Sequence, residues 1–168
     1  MLGLIQKILL TVVSIAIALL MAFGFYVVIF EENNKFEYEM LILVALAIFG
    51  ALSFVFHIKT LKFYKTKSLL YLNFKKDKPF WVFNIAFILS LLLLSLFFAY
   101  QYYKIIENGP SFKSDFWPFL IVIFLPLIIS AWLFFDARYL YQNYKNLEAK
   151  ATFNTIDDIK GVEGETEN

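Results

Sequence analysis

The chain contains no cysteine, one histidine and one arginine, and each scarcity removes chemistry. Without cysteine there is no disulfide, no thiolate nucleophile and no thiolate metal ligand. The one histidine, His57, cannot assemble the several converging side chains that zinc, haem or copper requires, so no metal or other cofactor is expected. No glycine-rich phosphate cradle and no Ser/His/Asp arrangement on a plausible scaffold is present, so no catalytic residue is assigned.

Charge is also missing from four long stretches. Ile8 to Phe30, Met40 to Phe56, Pro79 to Tyr100 and Phe116 to Phe135 hold no Asp, Glu, Lys, Arg or His. Ion pathways, proton relays and voltage sensors place such groups inside the bilayer, where their cost marks function. Their absence disfavours a proton-coupled transporter.

What the chain has in excess is apolar surface. Of its 168 residues 61% are hydrophobic and 20% aromatic, with a mean hydropathy of +0.69. A soluble fold of this length cannot cover so much apolar area, so the surplus must face lipid. The first stretch, 23 residues from Ile8 to Phe30, gives about 34 Å of helix, enough for a hydrocarbon core of about 30 Å. With Lys7 ahead of it the segment resembles a signal peptide, but it is too long for an h-region and lacks a small-x-small cleavage site, so a retained anchor is expected. The fold class is all-α: a polytopic integral membrane protein, a four-helix transmembrane bundle with spans near 8–30, 40–58, 79–101 and 116–137.

Orientation is read from Lys59 to Lys78. This segment carries Lys59, Lys62, Lys65, Lys67, Lys75, Lys76 and Lys78 against a single acid, Asp77. Short loops rich in Lys and Arg stay in the cytoplasm. Both termini are then cytoplasmic, with twelve Lys or Arg on the inner segments and three on the outer turns. Fourteen lysines against one arginine, with abundant Phe, Ile and Asn, hint at an AT-rich bacterial genome and hence a bacterial cytoplasmic membrane. The seven loop lysines are expected to touch anionic lipid head groups, each worth about 1 kcal/mol near the surface. Placed at 100° intervals they do not segregate from Leu, Phe and Tyr, so an amphipathic surface helix is not supported, and Leu69 to Phe74 is expected to dip into the interface. No nucleic-acid-binding module is recognisable.

Ser14, Ala18 and Ala22 form a small-residue stripe for helix packing, as do Ala47 and Ala51 beside Gly50. Asn84 and Ser95 lie about three turns apart on one face, expected to look into the bundle, with Asn84 as interhelical glue. Pro126 should kink the last span. Trp81 is placed at the inner edge of the third span, and Tyr100, Tyr102 and Tyr103 at its outer edge. Beyond Lys145 a polar tail is expected, with one helical turn at Thr155 to Lys160 stopped by Gly161 and a disordered end.

His57 and Asp136 are the ionisable residues nearest the core, each at the cytoplasmic end of an even-numbered span, and they could pair if those ends adjoin. Their surroundings are similar: Phe56-His57-Ile58-Lys59 parallels Phe135-Asp136-Ala137-Arg138, as two duplicated hairpins would give. The outer acids Glu31, Glu32, Glu37 and Glu39 could hold a divalent cation weakly. The functional expectation is a non-enzymatic accessory or interaction subunit of a membrane complex, with a membrane-protein partner or a second copy. The alternatives are a small oligomeric transporter or channel, and a lipid-binding or lipid-modifying protein working around His57 and Asp136.

Overall fold

The computed structural model describes residues 2–31, 40–68, 74, 76–108 and 116–165, with side chains of the last helix described as far as 153. Among these residues there is no strand. Four helices carry the chain: α1 (Leu2–Tyr26), α2 (Met40–Thr66), α3 (Lys78–Asn108) and α4 (Phe116–Glu165), with a π-helical turn Val27–Glu31 after α1. All four are long and apolar enough to cross a membrane, and the chain is a membrane helical bundle. The acidic turn at 32–39 and most of 69–75 lie outside the described residues, so the cation and interface-dipping expectations there have no structural counterpart.

All four helices begin or end beyond their charge-free stretches, α2 reaching Thr66 as the lack of Pro or Gly from Ile58 to Lys67 leads one to expect. Helix α1 starts at Leu2 and takes Lys7 into the bundle, and α3 continues about two turns past Tyr100. Helix α4 runs unbroken through the expected stop at Gly161. One glycine inside a helix costs only about 1 kcal/mol, and no proline follows to enforce an end.

The backbone neighbours are α1 with α2, α2 with α3 and α3 with α4. Helices α1 and α2 approach closely at Gly50, where an added Cβ would lie 3.1 Å from Ala18 Cβ and 3.3 Å from Ala18 Cα. The buried face of α1 is Lys7, Leu10, Ser14 and Ala18. Ala22, expected on that stripe, is exposed, and Met21 packs toward the core in its place. Two steps of four residues advance a helix about 80° beyond two full turns, which rotates Ala22 off the seam. The α2 seam runs through Leu46, Gly50, Ser53 and His57, and Ala51, one residue and so about 100° on from Gly50, is exposed.

The core is closed by Leu46, Phe87, Leu91, Leu133 and Leu140. At the end that carries Lys59 to Lys78, here called the basic end, Trp81 in the first turn of α3 turns into the bundle and is buried. Its ring centroid lies 5.0 Å from that of Phe56 and 5.3 Å from that of Phe74. Tyr100 and Tyr103 at the opposite end are exposed. Pro126 removes a backbone donor inside α4. One residue on from Val122, whose carbonyl loses its donor to the proline, the Ile123 carbonyl accepts from Ser95 of α3 at 2.7 Å, tying the neighbouring helix to this turn.

Candidate functional site

Three helices bring ionisable side chains together at the basic end. Lys7 of α1 is fully buried, and its ammonium donates to Asp136 Oδ2 of α4 at 2.7 Å. The same nitrogen lies 2.7 Å from His57 Nδ1 of α2. Tyr64, two turns along α2, donates its hydroxyl to the other Asp136 oxygen, Oδ1, at 2.5 Å. Both carboxylate oxygens are thereby engaged, and the charges of lysine and aspartate balance. The ammonium also lies 5.1 Å from the centre of the Phe56 ring and 5.5 Å from that of Tyr64, so its remaining surface meets aromatic faces.

His57 and Asp136 do not bond directly: Nδ1 and Oδ2 are 3.6 Å apart, with Lys7 the donor to each. The ends of α2 and α4 adjoin as pairing would need, but the mediator comes from α1. An ammonium has no acceptor lone pair, so His57 Nδ1 accepts and a neutral ring carries its proton on Nε2. Nε2 is buried without a partner among the described residues. One turn before His57, Ser53 Oγ donates to Asn84 Oδ1 of α3 at 2.7 Å, while Asn84 Nδ2 has no described partner. Asn84 and Ser95 are both buried. Pro126 is half-buried, about three turns up α4 from Asp136 and outside the cluster.

Sequence reasoning missed Lys7 and Tyr64. The signal for Lys7 was the helical seam itself: continuing Ala18 and Ser14 backward by three to four residues reaches Leu10 and then Lys7. Tyr64 lies seven residues after His57, two turns on and the same face.

The loop lysines divide. Lys59 donates to Asp77 at 2.9 Å and lies 4.0 Å over the Phe80 ring, tying α2 to the start of α3. There the Asp77 carbonyl accepts the first helical hydrogen bonds, from Phe80 and Trp81, and Pro79 sits in a first turn where its missing N–H costs nothing. Lys67 ends α2 in the left-handed conformation, φ 54°, with its N–H bonded to the Phe63 carbonyl at 2.8 Å. This is an αL cap made by a residue other than glycine. It turns the ammonium onto α4, where it donates to Tyr139 Oη at 2.6 Å. Lys75 lies outside the described residues, Lys65 is exposed, and Lys62, Lys76 and Lys78 take no part in the cluster.

A cavity of about 510 Å³ opens beside the cluster between α1 and α4. Gly3, Leu4, Gln6 and Leu10 line one side, Trp132, Phe135, Asp136 and Tyr139 the other, with Tyr64 and Lys67 at the α2 end. A second groove of about 450 Å³, between α3 and α4, is lined mainly by apolar and aromatic side chains with Arg138 among them. No group of metal-ligating side chains occurs among the described residues. Compared with models of protein families, with curated proteins and with solved structures, the chain matches none.

Proposed function

We propose that this is a small multi-pass membrane protein without catalytic activity of its own, an accessory or interaction subunit of a membrane complex. The observation that carries the reading is the pairing of the cluster's two charged groups. Both Asp136 oxygens are bonded and Lys7 bridges two helices, so the lysine and the aspartate are spent on cohesion. The basic end faces the cytoplasm in this reading, since it holds the lysine-rich segment, and the compartment is a bacterial cytoplasmic membrane. The loop lysines meet anionic lipid head groups there, and a membrane-protein partner or second copy packs in the bilayer.

The test is a mild-detergent pull-down of the tagged protein at native level, with mass spectrometry and sizing. A stoichiometric partner is the expected result; a monomer that retains nothing would sink the proposal. One observation favours a second reading, a small oligomeric transporter or channel. The buried Lys7, His57 and Asp136 lie within helices that cross the apolar layer, where ionisable groups mark pathways. Flux into proteoliposomes that disappears in Asp136→Asn and Asn84→Leu variants would support it, and equal flux in empty and loaded vesicles would remove it.

A further inference from the structure

The cavity between α1 and α4 has a chemistry that the cohesive cluster does not use. Asp136 contributes its wall, but both oxygens of that carboxylate are already bonded. The remaining polar groups are donors in excess. Lys67 meets only the Tyr139 hydroxyl and the rings of Phe63, Tyr64 and Tyr139, and no carboxylate lies within ion-pair distance of it among the described residues. Trp132 and Gln6, also on the wall, make no described side-chain hydrogen bond. A buried or half-buried indole N–H ordinarily finds an acceptor.

The rest of the wall is apolar, from Leu4 and Leu10 on one side to Phe135 on the other. The flanking surfaces, Ile5 and Leu9 on α1 and Ile128 on α4, are exposed hydrophobics of the kind that lipid covers. The cleft therefore joins a cation with no carboxylate partner among the described residues to an apolar channel bordered by lipid-facing helices. The complement is a molecule with an anionic, acceptor-rich head and a hydrocarbon tail.

We infer that the cleft between α1 and α4 is a binding site for one anionic phospholipid, its phosphate at Lys67 and one acyl chain laid along Leu10 and Phe135. This goes beyond the accessory-subunit reading and does not depend on it. Lys67 is the specific contact, in contrast with the diffuse attraction of the other loop lysines. Its left-handed cap and three surrounding rings hold the ammonium at the mouth of the cleft, so little side-chain freedom is lost on binding.

The experiment is native mass spectrometry of the full chain in detergent, equilibrated in turn with phosphatidylglycerol, phosphatidylcholine and glycerol 3-phosphate. One phosphatidylglycerol should be retained in preference to phosphatidylcholine. Lys67→Glu should lower that retention about tenfold or more, while Lys65→Glu, the same charge change one half-turn away on the exposed surface, should leave it unchanged. Leu4→Trp, which fills the apolar part and leaves Lys67 in place, should also lower it, with helix content by circular dichroism showing that each variant is folded. Equal retention of the two lipids, or equal losses in Lys67→Glu and Lys65→Glu, would overturn the site. Retention of glycerol 3-phosphate alone would assign the cation to a soluble phosphate ester and overturn the lipid.

Discussion

The ammonium of Lys7 and the carboxylate of Asp136 meet at 2.7 Å although 129 residues of chain separate them. The pair joins α1 to α4, the first helix and the last. Removing one partner leaves the other charge buried and unpaired. Asp136→Asn is expected to destabilise the fold by about 3–5 kcal/mol, whereas Lys7→Met combined with Asp136→Leu should recover most of that loss. Unfolding curves in SDS titrations measure both, and additive losses in the double variant would contradict a paired cluster.

Tyr64→Phe takes away one hydroxyl and nothing else. The ring keeps its place beside Tyr139, 5.6 Å between centroids, while Asp136 Oδ1 loses its donor. A hydrogen bond to a charged group is worth about 1.5–3 kcal/mol, so this variant should lie between wild type and Asp136→Asn in the same titration.

The contact at Gly50 gives a steric prediction. With Ala18 Cα itself 3.3 Å from the position of a new Cβ, Gly50→Val must push the α1 backbone away, at a cost of about 1–3 kcal/mol. Because the chain has no native cysteine, Ala18→Cys with Gly50→Cys isolates the same contact. Mild oxidation should cross-link α1 to α2, read as an altered gel mobility that reductant reverses. Failure to cross-link would place the two helices farther apart than this structure does.

Orientation can be read with two further cysteines in that background. Lys65→Cys near the end of α2 and Lys104→Cys near the end of α3 lie at opposite ends of the bundle. In intact cells an impermeant maleimide should label only position 104, and both positions after lysis. Labelling of position 65 alone would invert the proposed topology.

Much of the fold was legible because lipid imposes a simple requirement: long apolar stretches with their backbone bonded internally. That requirement marks the spans at Ile8, Met40, Pro79 and Phe116 without reference to tertiary structure. It is silent about Lys7, which hydropathy treats as a flanking charge, since a lysine beside an apolar run is ordinarily hydrated. Only the convergence of α2 and α4 on that turn of α1 makes its burial tolerable. His57 and Asp136 stood out because they are the first ionisable groups after the apolar runs of α2 and α4, but no local pattern says that a third helix supplies the cation between them. Ala22 was misplaced by counting in fours, where a helix turns in 3.6 residues. The role of Lys67 depends on a backbone conformation that lysine seldom adopts, and composition carries no trace of it.

The Lys7 pairing also bears on how the protein is made. A ribosome delivers α1 first and α4 last, so the lysine enters the bilayer long before its carboxylate exists. Near the start of its helix it can extend to the aqueous boundary in the meantime, and it withdraws only when Asp136 arrives. The completed cluster is thus a record that all four helices have been threaded. A chain halted after α3 would keep the Lys7 cation without the carboxylate that balances it.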